Sequence, residues 1–294
     1  MKLSAEPFYR PPSSESARRE DAYCINESAG MVVVIDGVSE PFVGVPCDYG
    51  EPGKSGGAVV ADIIRYLISM ANSIDGLCNS LLIANDVVRV KHKEMGRDVT
   101  EQAVAGACVA ACHIHGRGAI FVVVGDAGIL WEDAQGCHYL TNFSPAAHAL
   151  EEAGNEFFEA CKKYGAIVGE KPWALYNPFF KAKQYFRANR NNDDGGGVYV
   201  PGKNGGHGMV NGNRALERYW TVKSIDLSSV KWILVHTDGI LWRDFRPENC
   251  QEVAEAFNRG GIPAILELRD SRDNQPHIQA KGWPEGTVIV LKPK

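Results

Sequence analysis

Residues 31–37 read MVVVIDG and residues 232–239 read WILVHTDG, and these two segments are the clearest strand signals in the chain. In each, an apolar run that is too short for a helix ends at an Asp-Gly pair, a common turn signal. A third run, AIFVVV at 119–124, ends in Gly125-Asp126, and a fourth, TVIVL at 287–291, lies close to the chain end. The pattern predicts four buried strands, three of which end at a carboxylate.

Helices are predicted between the first and the third of these runs. Residues 56–74 and residues 80–95 carry apolar residues at helical spacing, which is typical of helices packed on a sheet. Residues 1–19, rich in Pro, Ser and charge, predict an N-terminal arm. Residues 20–294 would then form the main domain, with an insertion at about 144–214. We interpret this Gly/Asn-rich insertion either as a flap near the site or as a passive surface insertion.

Composition restricts the classes of function. The 294 residues are 45% hydrophobic and 23% charged, which is typical of a chain that buries a substantial core. A net charge of -5 without a concentrated basic segment argues against nucleic-acid binding. The eight cysteines include no CxxC pair, which favours buried thiols in a reducing compartment. No apolar run is long enough for a signal peptide or a membrane span. We therefore expect a cytoplasmic monomer that contacts no membrane.

The carboxylates at the strand ends indicate a metal site. A single Asp-Gly pair after a strand is more often a turn than a site, because Asp caps the turn and Gly supplies positive φ. Three such strand ends in one chain, together with acidic residues ahead of the first and last strands, change that balance. Clustered carboxylates need a countercharge, which Mg²⁺ or Mn²⁺ provides by binding oxygen ligands. The sequence therefore predicts a divalent-cation site built on strand ends.

The order of the acidic pairs resembles the signature of the metal-dependent serine/threonine protein phosphatases of the 2C type, and of their bacterial members in particular. The five matching pairs are Glu20-Asp21, Asp36-Gly37, Gly125-Asp126, Asp238-Gly239 and Asp273-Asn274. The segment GMVNGN at 208–213 is similar to a short Asn-Gly element of the bacterial members. This resemblance implies an α+β fold, a four-layer α-β-β-α sandwich of two mostly antiparallel sheets flanked by helices. It also implies that residues 20–294 form the catalytic domain.

The same resemblance implies a site that holds two Mn²⁺ or Mg²⁺ ions. Its ligands would be Glu20, Asp36, the Gly37 carbonyl, Asp238 and Asp273, with Asp21 behind them. Asp36 would bridge the two ions, and Asp126 with Asp238 matches the pair that holds a third ion in some bacterial relatives. The implied activity is hydrolysis of phosphoserine or phosphothreonine in a protein substrate by a metal-bridging hydroxide, with Asp36 and Asp238 as the central catalytic carboxylates.

Departures from the family pattern leave alternatives open. Ser16 stands where relatives usually carry the arginine that binds the substrate phosphate. Arg18 or Arg19 would replace that arginine, or this basic pair is simply solvated surface. Asp270 competes with Asp273 as the last ligand, because residues 275–286 separate this cluster from the final strand. The alternative functions are a pseudophosphatase that acts as a binding module and a hydrolase of small phosphate esters.

Overall fold

The computed structural model describes residues 3–11, 19–39, 49, 51, 53–97, 104–142, 145–172, 174–176, 207–242, 245–273 and 285–293. The strands in these ranges are β1 (Leu3–Arg10), β2 (Ala22–Asn26), β3 (Met31–Val38), β4 (Gly106–His115), β5 (Gly118–Val124), β6 (Gly128–Asp133), β7 (Gly136–Thr141), β8 (Thr221–Asp226), β9 (Trp232–His236) and β10 (Gly286–Pro293). The α-helices are α1 (Gly56–Ser69), α2 (Ile74–Glu94), α3 (Pro145–Val168) and α4 (Cys250–Arg272). Short 3-10 turns lie at Arg214–Arg218, Asp238–Ile240 and Pro247–Asn249.

The strands form two five-stranded antiparallel sheets. One has the order β1-β10-β9-β6-β7 and the other β2-β3-β4-β5-β8. Helices α1 and α2 cover the outer face of the second sheet, and α4 covers the outer face of the first. The predicted α-β-β-α sandwich of antiparallel sheets is confirmed.

The position of β3 between two layers explains why its first five residues, 31–35, are all apolar. Met31, Val33 and Ile35 pack against α1 and α2, whereas Val32 and Val34 point into the space between the two sheets. Successive side chains of a strand face opposite sides, so a strand covered on both faces is apolar throughout. Asp36 continues the face of Val32 and Val34, which sends the first predicted carboxylate towards the space between the sheets.

Serine hydroxyls start the two helices of the outer layer. Ser55 Oγ accepts a hydrogen bond from the backbone N–H of Ala58 at 3.2 Å, and Ser73 Oγ accepts one from Gly76 at 3.0 Å. Each hydroxyl satisfies one of the backbone donors that a helix leaves without a partner at its N-terminus. These caps fix where α1 and α2 begin.

The predicted N-terminal arm contains an edge strand. Strand β1 pairs along its length with β10, with Leu3 opposite Pro293 and Arg10 opposite Gly286. Residues 12–18 lie outside the described residues, as do residues 177–206 of the predicted insertion, whose first part contains α3. The domain boundaries remain predictions. No helix in the described ranges has the length and apolarity needed to cross a membrane.

Candidate functional site

The predicted carboxylates meet at one end of the space between the sheets. Asp36 lies near the end of β3, Asp126 follows β5, Asp238 follows β9 and Asp21 precedes β2. Because neighbouring strands are antiparallel, the ends of some strands and the beginnings of others share one edge of the sandwich. Burial, and then the charges of Asp238, Asp21 and Asp126, raise the pKa of Asp36 well above its ordinary value. Four carboxylates are therefore close enough to repel one another.

Asp36 and Asp238 are in direct contact. Their carboxyl groups are hydrogen-bonded to each other, which requires a proton between them in the absence of another cation. Asp36 is partly buried, whereas Asp238 is exposed. The contact joins one strand end of each sheet, and its Asp238 side is open to solvent.

Asp21 is held on the inner side of this pair by Thr237. Asp21 is 5% exposed, and its Oδ2 accepts a hydrogen bond from Thr237 Oγ1 at 2.8 Å. The same hydroxyl oxygen accepts a bond from the Thr287 backbone N–H at 2.9 Å, so it connects β10 to Asp21. Burial and the neighbouring charge of Glu285 raise the pKa of Asp21 to about 8. Asp21 therefore retains a proton at neutral pH when no cation is near.

Glu285 is a fifth acidic residue of the site, and the sequence analysis missed it. Its Oε1 accepts hydrogen bonds from the backbone N–H groups of Glu20 at 2.5 Å and Asp21 at 2.9 Å. Its Oε2 accepts a bond from the Tyr9 hydroxyl at 2.9 Å. Glu285 directly precedes β10, so the pairing of β10 with β1 and β9 brings it to the site. Its position next to a predicted strand was the one available signal.

The Glu20 side chain is held at the N-terminus of α1. Its carboxylate accepts hydrogen bonds from the hydroxyls of Ser39 and Ser55, which oppose the rise in its pKa caused by burial. The backbone here is tightly packed, since a Cβ on Gly37 would lie 2.5 Å from the Glu20 carbonyl oxygen and 2.8 Å from Gly57. Glycine is therefore required in the Asp36-Gly37 turn, because any side chain would push α1 away.

Of the two arginines predicted to bind the substrate phosphate, the structure describes only Arg19. Arg18 lies outside the described residues. Arg19 is exposed, donates from Nε to the Asp21 carbonyl oxygen at 3.2 Å and lies over the Tyr9 ring, 4.1 Å from its centroid. Burial, and then the hydrogen bond with Glu285, raise the pKa of Tyr9 to about 12, so the ring stays neutral. The Arg19 guanidinium is thus fixed at the rim beside Asp21.

The two candidates for the last ligand both pair with arginines. Asp270 accepts two hydrogen bonds from the Arg10 guanidinium, at 3.1 and 3.5 Å. Asp273 lies beside the buried Arg269, with Nε 3.6 Å from Oδ2. Asn274 lies outside the described residues. In this arrangement Arg269 already neutralises the charge of Asp273.

The donor set suits a hard divalent cation. Within the described ranges, no three His, Cys, Asp or Glu side chains stand in an arrangement ready to hold a metal ion. Carboxylate oxygens on strand ends are the ligand type that Mg²⁺ and Mn²⁺ prefer, and mutual repulsion among Asp21, Asp36, Asp126 and Asp238 favours a cation. These residues fit the predicted ions.

Comparisons with known proteins identify the fold. No family model and no curated protein matches this sequence. Among solved structures, PppA from Pseudomonas aeruginosa, described as a key regulatory component of the T6SS, has 13% identity and a TM-score of 0.58, covering 99% of this chain and 98% of its own. The serine/threonine phosphatase PstP/Ppp from Mycobacterium tuberculosis has 11% identity and a TM-score of 0.58, covering 100% of both chains.

A third solved structure contains metal. The catalytic domain of the serine/threonine protein phosphatase PstP in complex with two manganese ions has 11% identity and a TM-score of 0.56, covering 99% of both chains. The chain studied here therefore has the fold of the bacterial PPM-type serine/threonine phosphatases over almost its whole length. At the level of the fold, the resemblance inferred from the acidic pairs is confirmed.

Proposed function

We propose that this chain is a phosphatase that depends on Mn²⁺ or Mg²⁺ and hydrolyses phosphoserine or phosphothreonine in protein substrates. The observation that supports this most strongly is the direct contact between Asp36 and Asp238, with Asp21 and Asp126 close enough to raise the pKa of Asp36. Carboxylates that are close enough to repel one another are typical of sites that bind a cation. The fold shared with serine/threonine phosphatases supports the choice of reaction.

In this proposal Asp36 and Asp238 are the central ligands. Glu20 and the Gly37 carbonyl would bind a first ion together with Asp36, Asp238 would hold a second ion together with Asp36, and Asp126 with Asp238 would hold a third. When bound, the ions would supply a water molecule of lowered pKa as the nucleophile and would offset negative charge on the phosphoryl oxygens. The surrounding side chains would position the metal ligands and the substrate phosphate.

Asp21 and Glu285 keep the ligand residues in place. Glu285 binds the backbone of Glu20 and Asp21, so it fixes the chain on which the Glu20 ligand is carried. Thr237 donates to Asp21 and lies next to Asp238 in the chain, so it joins the positions of two carboxylates from different sheets. Positioning of this kind reduces the reorganisation that the site needs when it binds a cation.

Arg19 is our candidate for the residue that binds the substrate phosphate. A guanidinium presents several N–H donors in one plane, which suits phosphate oxygens. The Tyr9 ring and the Asp21 carbonyl hold the Arg19 side chain at the rim, and only Nε is used in that contact. Within the part of the chain that the structure describes, the two terminal nitrogens make no hydrogen bond, which leaves them available to an incoming phosphate group.

The experiment compares phosphate release from phosphothreonine peptides, para-nitrophenyl phosphate and a panel of small phosphate metabolites, with Mn²⁺ and with EDTA. We expect metal-dependent release that is fastest with the peptides. Asp36→Asn and Asp238→Asn should each abolish it, while Asp86→Asn, on the exposed face of α2, should not.

Two results would contradict the proposal. Binding of Mn²⁺ without release from any substrate would indicate a pseudophosphatase. Release from metabolites alone would indicate a small-molecule hydrolase.

A further inference from the structure

A buried arginine stands behind the site. Arg269, in the last turns of α4, is 1% exposed and is among the largest fully buried side chains of the described residues. Its Nη1 donates to the Gly239 carbonyl oxygen, and its Nε lies 3.6 Å from Asp273 Oδ2. Removing a guanidinium from water is costly unless it is paired and hydrogen-bonded. The Gly239 carbonyl and the Asp273 carboxylate therefore offset part of the cost of burying Arg269, although its Nε makes no hydrogen bond among the described residues.

Helix geometry fixes the pair. Asp273 follows Arg269 by four residues, and its backbone N–H donates to the Arg269 carbonyl oxygen at 2.8 Å, so both belong to the same final turn. Side chains four residues apart lie on the same face of a helix. Asp273, at 4% exposure, is buried together with its partner. The ion pair is thus formed by the local fold of α4.

The carbonyl that Arg269 binds belongs to the turn that carries Asp238. Within this 3-10 turn the backbone bonds are long, 3.4 Å from Ile240 N to Thr237 O and 3.2 Å from Leu241 N to Asp238 O. A Cβ on Gly239 would lie 1.6 Å from the Glu285 carbonyl oxygen, so the turn is pressed against the start of β10. Arg269 supplies a strong charged hydrogen bond where the turn's own bonds are weak.

Arg269 interacts electrostatically with the carboxylates of both Asp273 and Asp238. Burial and the nearby charge of Arg10 lower the pKa of Arg269, whereas Asp273, Asp238 and Asp270 raise it. The guanidinium therefore interacts electrostatically with the predicted ligand Asp238 as well as with Asp273. Arg269 thus brings a permanent positive charge close to Asp273 and into the electrostatic range of Asp238, the two residues that the resemblance to the phosphatase family would assign to a second metal ion.

We propose that the Arg269 guanidinium supplies the positive charge beside Asp238 and Asp273. In this proposal Asp273 is the counter-ion of Arg269 and not a metal ligand. Arg269 also positions the Asp238-Gly239 turn. As far as it concerns metal, this inference rests on the proposed function. It assigns the divalent cation to Asp36 and Asp238 and removes Asp273 from the predicted ligand set.

Calorimetric titration with Mn²⁺ alone tests the ligand assignment. Asp238→Asn should weaken Mn²⁺ binding by about 10-fold or more, whereas Asp273→Asn should leave the Kd within about 3-fold of the wild-type value. An equal loss of affinity in the two variants would overturn the inference and leave the proposed function standing. If the wild-type chain binds no Mn²⁺, the proposed function fails, and so does the assignment of the cation to Asp36 and Asp238.

Thermal unfolding without divalent cations tests the pair independently of metal. Asp273→Asn leaves a buried guanidinium without its counter-ion and should lower the Tm by about 10 °C. Replacing both residues, with Arg269→Met and Asp273→Asn together, should recover part of that loss, because no buried charge then remains. Additive losses in the double variant would overturn the inference. If Arg269→Met does not fold, Arg269→Lys is measured with and without Asp273→Asn. Additive losses of Tm in these variants would likewise overturn the inference.

Discussion

The carboxyl groups of Asp36 and Asp238 are hydrogen-bonded to each other, although Asp36 belongs to one sheet and Asp238 follows a strand of the other. Two carboxyl groups make such a contact only when they share a proton, and they exchange that proton readily for a cation of higher charge. The contact therefore links the two sheets, contributes to the raised pKa of Asp36 and marks the proposed position of the metal ion.

The pH dependence of stability should reveal the proton on Asp21. The pKa of Asp21 is about 8 in the folded chain and 3.8 as its ordinary value, so the folded state binds more protons than the unfolded state between these values. Stability from this group is therefore lost as pH rises towards 8. The buried His92 and His236, with pKa lowered by burial to about 4, act in the opposite direction mainly below pH 6.5.

The prediction is tested by measuring the Tm in EDTA from about pH 7 to about pH 8. This range lies above the pH at which His92 and His236 have their main effect on stability. The wild-type Tm should fall more steeply across it than the Tm of Asp21→Asn, whose neutral amide cannot titrate. Parallel curves for the two proteins would show that Asp21 is already ionised at neutral pH.

Removing the Thr237 hydroxyl should destabilise the fold. Thr237→Val leaves the Asp21 carboxyl and the Thr287 N–H without their partner, which should cost about 1–3 kcal/mol of unfolding free energy. Thr237→Ser keeps the hydroxyl and should cost less. Urea denaturation measures both, and equal losses in the two variants would exclude a role for the hydroxyl.

Gly57→Ala should be destabilising although it lies in a helix. Alanine normally stabilises a helix by up to about 1 kcal/mol relative to glycine. Here a Cβ would lie 2.8 Å from the Gly37 carbonyl carbon and 2.9 Å from Ser39 N, so α1 would have to move off the Asp36-Gly37 turn. Gly76→Ala in α2 is the matched control, because its nearest contact is the Ser73 hydroxyl at 3.2 Å. Thermal unfolding should show a lower Tm for Gly57→Ala than for the wild-type chain and no such decrease for Gly76→Ala.

Glu285→Gln should lower the pKa of Asp21. The amide oxygen still accepts from the backbone of Glu20 and Asp21, but the negative charge that raises the Asp21 pKa is removed. The decline of Tm with rising pH should therefore move to lower pH in this variant. NMR titration of the Asp21 carboxyl carbon measures the shift directly, and an unchanged midpoint would exclude Glu285 as its cause.

Arg19→Ala should weaken substrate binding. Loss of a guanidinium from a phosphate site removes charged hydrogen bonds worth about 1.5–3 kcal/mol, which corresponds to a rise in KM of about 10- to 100-fold. Arg65→Ala on the exposed face of α1 is the control and should leave KM unchanged. A wild-type KM in Arg19→Ala would transfer the phosphate-binding role to another residue.

The buried strands and the carboxylates at their ends could be predicted because their signal is local, whereas the sandwich was implied by the resemblance that the ordered acidic pairs carry. Val32 and Val34 on one face of β3, with Val33 and Ile35 on the other, identify a strand covered on both sides, and Asp36 follows directly. Such a pattern needs no knowledge of the neighbouring strands. The convergence of Asp36 and Asp238 then follows from antiparallel pairing and from the ordered series of acidic pairs.

Glu285 and Arg269 could not be found in this way, because their positions depend on contacts between distant parts of the chain. Glu285 reaches Glu20 only when β10 enters the sheet between β1 and β9. Arg269 reaches Gly239 only when α4 packs on the outer face of that sheet. The four-residue spacing of Arg269 and Asp273 is a local signal for an ion pair within a helix. The Asp-Asn pattern at 273 and 274 favours a metal ligand instead, and the sequence does not show that both side chains are buried.

The most direct test of the central claim is a crystal of the wild-type chain soaked in Mn²⁺ and measured at the manganese absorption edge. An anomalous peak is expected between the Asp36 and Asp238 carboxylates, with the hydrogen bond between them broken. A map without a peak at that place, with the two carboxyl groups still in contact at saturating Mn²⁺, would contradict that claim.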